Sequence, residues 1–424
     1  MATSSRAETE MLAAILPRER QAPAGRWIAP ILCGLAMMAE GFDTYSVGYA
    51  APVIIRDWGA SPAAIGALFA ASVIASALGT MGIGPIADRY GRKPCLVTAL
   101  LLFGLATLLT AHVADLAQLA AVRVLSGLAL GASVPIAVAL ASETAAPERR
   151  GAVAAVMSGC IPLGIVASGL TAAALVPSHG WQPLMYVGGV FALLLVLPIL
   201  MLVHEPARGA GKASTTHAAV GALFAPAHRR ATITAVFVMT TIFAVSFFFN
   251  FWLPALLLKR NPDMQTVALA NALAQTMSPI GAFLTGRAMD RHGLKALAGV
   301  FALAAIVLTA AVSLPGSFAV LVAGCCCICL CMNGAFGGAI ATPVYLYPQE
   351  MRATALGFII GLSRLIGGSV GPLVGGWLLA WNLPTSAVAV AFAPPLLLGA
   401  AVLFVFARRP SLSSSSSRLS GSLR

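Results

Sequence analysis

The chain has 424 residues, 59% of them hydrophobic and only 9% charged, with a mean hydropathy of +0.90. A soluble body of this size draws on roughly a quarter charged residues for its surface, so a water-soluble fold is excluded, and abundant apolar residues exclude disorder. The net charge of +12 would suggest nucleic acid in a soluble protein; here the basic residues sit in short segments between apolar blocks, which marks membrane topology, and no nucleic-acid partner is expected.

The first 26 residues carry Arg6, Glu8, Glu10, Arg18, Glu19, Arg20 and Arg26 with no apolar core of signal-peptide kind ahead of the first long hydrophobic block, so no cleavable signal is expected and this segment is expected to stay inside the cell. A spanning helix needs about 20 mostly apolar residues. Six such blocks are predicted at residues 27–55, 62–83, 94–114, 116–141, 152–176 and 181–203. Six more follow at 231–258, 266–285, 294–314, 318–346, 353–380 and 385–407. These long continuous runs lack the period-two alternation of a barrel strand, so the expected fold is all-α, two six-helix bundles in a lipid bilayer. Residues 204–230 form the expected central loop between the bundles, 27–203 and 231–407. The tail, 408–424, with its serine run at 413–417, is expected to be disordered.

The first span carries Glu40-Gly41-Phe42-Asp43, then Thr44, Tyr45, Gly48, Tyr49 and Pro52. Carboxylates inside an apolar span are costly and mark a proton or substrate path. Three residues apart, Glu40 and Asp43 can share one helix face, and like charges in a poorly hydrated site favour keeping a proton on one of them. Gly84, Asp88, Arg89, Gly91, Arg92 and Lys93 follow the second span; the glycines permit close backbone approach and a tight turn, and Asp88 can pair with a base or cap a helix. In the fourth span Arg123 precedes Gly127 and Gly131, so a charge stands on a helix that can pack closely, with Asp43 or Glu40 as its expected partner. Ser142, Glu143, Pro147, Arg149, Arg150 and Gly151 read as a structural latch at the membrane edge. Pro162 and Gly164 mark a bent helix contact in the fifth span.

In the seventh span, the run from Phe247 to Pro254 contains Phe248 and Asn250, suited to stacking and hydrogen-bonding a planar ring, or equally to an interfacial aromatic belt. Tyr45, Tyr49 and Asn333, the last in mid-span ten, complete the candidate ring-binding set. Cys325, Cys326, Cys327, Cys329 and Cys331 share one apolar run without His or carboxylate neighbours; they are expected to be packing residues, and neither a metal nor a cofactor is expected. Arg364 stands among Gly361, Gly367, Gly368 and Gly371 with no carboxylate in the second half's spans. Its partner is an anionic ligand, a backbone carbonyl or a first-half acid.

With the N-terminus cytoplasmic, 21 of the 26 basic residues fall on the cytoplasmic face, and both termini lie there. The chain also repeats itself. Gly84, Asp88, Arg89 and Gly91 match Gly286, Asp290, Arg291 and Gly293 at a constant offset of 202 residues. Two parallel six-helix repeats about a central loop suit a rocking transporter with its site between the halves.

The doubled loop resembles the signature of the major facilitator superfamily, in which this loop latches the halves in one state. Glu40 to Asp43 with Gly48 and Pro52, residues 84–93, Arg123 with Gly127 and Gly131, residues 142–151, and residues 352–357 with Arg364 together look like the aromatic acid:proton symporter family. The resemblance covers nearly the whole chain apart from its ends and central loop. Many members have aspartate where Glu40 stands, so the carboxylate is kept; Leu294 replaces the arginine expected after the second loop's glycine. The resemblance implies a bacterial inner-membrane importer of benzoates, hydroxybenzoates or phenylpropionates, monomeric and driven by a proton gradient. Asp43, Glu40 and Arg123 would couple protons, and Arg364 would take the acid's carboxylate. A proton-driven exporter of drugs or metabolites is the alternative. An enzyme or a receptor is not expected, for the sequence offers no catalytic cluster or signalling domain.

Overall fold

The computed structural model describes residues 27–145, 150–205, 220–261, 263–313 and 317–407. Lipid offers no partner to a backbone N–H or C=O, so long apolar runs close their hydrogen bonds within helices. The first half contains α1 (Ile28–Trp58), α2 (Pro62–Tyr90), α3 (Arg92–Thr110), α4 (Leu116–Thr144), α5 (Arg150–His179) and α6 (Gln182–Leu202). In the second half, α7 (Arg229–Leu258) is followed by α8 in two segments (Met264–Gln275 and Ser278–His292), α9 (Leu294–Ser313), α10 (Phe318–Leu346) and α11 (Gln349–Ala380). The last helix, α12, is again in two segments (Thr385–Val390 and Ala393–Ala407). No strand occurs among the described residues. Eleven of these spans are long and apolar enough to cross a membrane; α1 is long enough, but Glu40 and Asp43 interrupt its apolar run. Leu194, Leu197 and Met201 of α6 stand exposed on the outside of the bundle, as a lipid-facing surface requires.

The expected termini and most of the central loop lie outside the described residues. Two expected loops prove to be helix. Residues 84–90 extend α2 and residues 286–292 extend α8, and each helix ends at one glycine with positive φ, Gly91 at 100° and Gly293 at 57°. Polar residues beyond the apolar block can continue a helix into the headgroup zone, where a single glycine at positive φ suffices to stop it.

Small residues set the helix spacing, in the same way in both halves. A Cβ on Gly41 of α1 would overlap the Ile161 carbonyl of α5, and one on Gly131 of α4 would overlap the Ser76 carbonyl of α2. In the second half, Gly371 of α11 meets the Ala244 carbonyl of α7, and Gly281 of α8 meets that of Leu330 in α10. Gly131→Val therefore forces α4 off α2, with an expected loss of about 1–3 kcal/mol. A lower thermal midpoint in detergent is the expected reading; an unchanged midpoint would show that this contact does not hold the helices.

The halves meet where α2 faces α11, α5 faces α8 and α1 faces α7. Their fit differs at the two ends of the bundle. At the end away from Asp88 the backbones are in contact: a Cβ on Gly66 of α2 would stand 2.8 Å from the Pro372 carbonyl, and one on Gly376 of α11 would stand 2.6 Å from that of Pro62. Nearer the other end, the positions of Gly84 (α2), Gly159 (α5), Gly286 (α8) and Gly357 (α11) have no described neighbour within 4 Å. The close approach expected at Gly84 is thus not made. The halves are sealed at one end and parted at the end that carries Asp88 and Asp290.

Candidate functional site

Midway along the interface, α1, α2 and α4 face α7 and α11 across a cavity of about 30 Å³. That is room for a water or two rather than an aromatic ring. Its wall carries Asp43, Arg123 and Arg364, the hydroxyls of Thr44, Ser72, Ser76 and Ser126, and the rings of Phe69, Phe247 and Phe251.

Asp43 is wholly buried; its Oδ2 accepts from Arg123 Nη1 at 2.9 Å and its Oδ1 from the Thr107 hydroxyl at 2.8 Å. The other Arg123 amino group reaches the Met185 sulfur at 2.9 Å, which leaves Nε without a partner among the described residues. Of the two partners expected for Arg123, the structure pairs it with Asp43, inside one half. Glu40, also buried, lies on the same face of α1 one turn away. Its nearest cation is Arg364 Nη2 of the other half, at 3.7 Å, beyond hydrogen-bond length. Arg364 Nη2 instead donates to the Ser76 hydroxyl at 2.8 Å, and its Nε has no described partner. Of the partners open to Arg364, the structure places a first-half acid beside it. Two carboxylates and two guanidiniums thus form a row across the interface, formally neutral as a set.

The aromatic wall departs from expectation. Phe69 stacks on Phe251 at 4.4 Å between centroids, and Phe247 and Tyr45 each lie 6.0 Å from Phe251. Phe247 and Phe251 are four apart and share the cavity face, whereas Phe248, turned away by about 100° of helix, stacks at 4.0 Å on Phe392, in the break between the two segments of α12. A run of phenylalanines carries no register, which is why Phe248 was expected at the site. Tyr49 is also displaced from it: its hydroxyl accepts from Asn271 Nδ2 of α8 at 2.8 Å, tying the halves near their sealed end. Asn250 donates to the Ser246 carbonyl at 2.8 Å and accepts from Gln275 at 2.5 Å, while Asn333 donates to the Cys329 carbonyl of its own helix at 3.0 Å. Neither lines the cavity.

At the parted end, Arg92 forms an ion pair with Glu143, both in the first half. Glu205, just beyond α6, accepts the backbone N–H groups of Arg92 at 2.7 Å and Lys93 at 2.8 Å, capping α3 where its dipole favours a negative charge. Asp88, Arg89, Asp290 and Arg291 are exposed; Arg89 lies over the Tyr90 ring, and none of the four joins the halves through a described residue. The side chain of Arg150, with Pro147 and Arg149, lies outside the described residues. The cysteines of α10 point to different faces, and no metal-binding cluster occurs among the described residues.

The family model of the Major Facilitator Superfamily matches residues 33–370. The chain belongs to the major facilitator superfamily. It is 32% identical over 424 residues to the 4-hydroxybenzoate transporter PcaK of Pseudomonas aeruginosa, covering 89% of this chain and 92% of that protein. It is also 31% identical over 381 residues to the 3-(3-hydroxy-phenyl)propionate transporter of Escherichia coli, with 89% and 93% covered. Such relatives assign it, within the superfamily, to the aromatic acid:proton symporter family. A solved structure of a bacterial homologue of the human lysosomal transporter Spinster has the same fold, with a TM-score of 0.76 at 17% identity over 91% of this chain and 98% of that one. As a member of this superfamily the chain is a multi-pass membrane transporter and not an enzyme.

Several residues of this facilitator's site were missed from sequence: Phe69, Ser72, Ser76, Thr107 and Met185; Phe247 and Phe251 belonged to the aromatic run but were not singled out from it. Ser72 and Ser76 did leave a signal, two hydroxyls four apart in an apolar span, which places them on one helix face. Glu205 left one too, as a lone acid directly after a span. Phe69 and Met185 left none, since an apolar residue in an apolar span says nothing of which neighbour it meets.

Proposed function

We propose that this chain imports a small aromatic carboxylate together with protons, by alternating access, across a bacterial inner membrane. The supporting observation is the buried row of Arg123, Asp43, Glu40 and Arg364, which crosses the interface of the halves beside an aromatic wall. Buried ionisable groups in membrane helices are retained for ligand or proton paths. The substrate class comes from the relatives, whose names specify 4-hydroxybenzoate and a hydroxyphenylpropionate.

In this reading the halves part, the acid's carboxylate docks on Arg364, and its ring lies against Phe251, Phe247 and Phe69, with Tyr45 at the edge. Asp43 and Glu40 supply the proton-coupling carboxylates, and Arg123 balances Asp43. The basic face is cytoplasmic by the excess of Lys and Arg there. Both termini then lie inside the cell, and the parted end of the bundle faces the cytoplasm. Asp88 and Asp290 with their arginines would latch that end in the opposite conformation. The transporter works as a monomer, and the proton gradient takes the place of any cofactor.

The test is purified protein in liposomes with an inward proton gradient, offered labelled benzoate, hydroxybenzoates, phenylpropionates and non-aromatic acids. Uptake of the aromatic acids above the leak of protein-free vesicles is expected. Uptake of aliphatic acids alone would overturn the substrate class, and movement of acid only against the inward proton flow would make the protein an exporter.

A further inference from the structure

The two buried carboxylates are held in different ways. Asp43 has two close partners, Arg123 at 2.9 Å and Thr107 at 2.8 Å, both within its own half. Glu40 has the Thr44 hydroxyl of its own helix and, as its cation, only a loose one, Arg364 at 3.7 Å, across the interface. The close hydrogen bond from Arg364 goes to Ser76, and its Nε has no described partner. A guanidinium offers five donors in a fork that fits a carboxylate through two bonds at once. Arg364 therefore has unused capacity for a better-placed carboxylate than Glu40.

We infer that Glu40 stands in for the substrate's carboxylate on Arg364, and that the arriving acid displaces it and leaves one proton on it per acid carried. The inference rests on the proposed function. Two carboxylates and two guanidiniums sum to zero, and one more carboxylate leaves the cluster one negative charge in excess in a poorly hydrated interior, where an unbalanced charge is strongly unfavourable. One proton restores the balance. The groups acting on Glu40 are Asp43 and the Thr44 hydroxyl of its own helix and Arg364 of α11, with Tyr45 close by; Arg123 of α4 is committed to Asp43. Glu40 is the carboxylate whose cation the substrate takes, so the proton goes there.

The step balances simply. A Glu40 carboxylate oxygen gains a proton from water on the side to which the site is open. On the other side the acid leaves Arg364, Glu40 gives the proton up, and the carboxylate returns to Arg364. An acid anion and one proton cross together, so no net charge moves.

Two measurements test this with labelled 4-hydroxybenzoate and reconstituted full-length protein. In the first, potassium and valinomycin set an inside-negative potential without a pH difference. One proton per acid predicts no accumulation, whereas two protons predict about tenfold accumulation per 59 mV, which would overturn the stoichiometry. In the second, Glu40→Gln mimics the protonated state. It should keep exchange of labelled for unlabelled acid, which needs no net proton movement, and lose pH-driven uptake, while Glu40→Asp regains it. Gradient-driven uptake by Glu40→Gln at the wild-type rate, or loss of exchange in that variant, would overturn the displacement step. Wild-type protein that exchanges no aromatic acid overturns the proposed function itself, and this inference with it.

Discussion

Asp43→Asn is expected to abolish proton-driven uptake of the acid. The substitution keeps size and hydrogen-bonding ability but removes the charge that Arg123 faces, and Arg123 is only 3% exposed. Its remaining contact is the Met185 sulfur, a weak acceptor. Removing one member of a buried ion pair costs about 3–5 kcal/mol, because the other charge is left uncompensated. The charge count predicts more than instability. With Asp43 neutral the row holds two cations and one anion, so an arriving carboxylate balances it and draws in no proton. Binding and exchange then persist in the folded fraction while coupling is lost. Adding Arg123→Gln should recover thermal stability, since it removes the orphaned cation. Normal accumulation by Asp43→Asn would remove Asp43 from the coupling machinery.

Arg364→Ala is expected to weaken acid binding by at least about thirtyfold, the lower end of the 2–5 kcal/mol lost when a buried, hydrogen-bonded charge partner is truncated. The measurement is equilibrium binding of labelled acid to purified protein. Arg364→Lys keeps the charge but not the fork, and should recover only part of the affinity. The truncation also leaves Glu40 without its cation and Ser76 without its donor, so the variant's thermal midpoint should fall alongside its affinity. Unchanged affinity for the acid would take Arg364 out of the substrate site.

The charged residues of the site were legible in the sequence because lipid makes them conspicuous. Glu40, Asp43, Arg123 and Arg364 each interrupt an apolar span at a cost that a packing role rarely repays. Their pairing was only partly legible, since which acid meets which arginine depends on how far the helices approach, and that is set by Gly41, Gly131 and their carbonyl contacts. The twelve spans and their order followed from apolar length alone. Their ends did not, because apolar length marks where a helix leaves lipid rather than where it stops. The breaks in α8 and α12 fall just before Pro279 and before Pro394 with Pro395, whose missing N–H groups take donors out of the helical hydrogen-bond ladder.

The aromatic wall was the least legible part. Phe247, Phe248 and Phe249 have the same composition in any rotation of α7, and only the packed structure selects Phe247 for the cavity and Phe248 for the contact with Phe392. Ser72 and Ser76 needed the same information, for a serine in a membrane helix is as often bonded to its own backbone as aimed into a site.

If the proposed function holds, an aromatic acid and a proton move together through the row of Asp43, Glu40 and Arg364. The most direct measurement loads liposomes containing the purified protein with a pH-sensitive dye and adds labelled 4-hydroxybenzoate outside. Acid entry and lumenal acidification should rise together above the protein-free leak, one proton to one acid, and Asp43→Asn should remove the protein-dependent acidification. Protein-dependent entry of the acid that leaves the lumenal pH unchanged would contradict it.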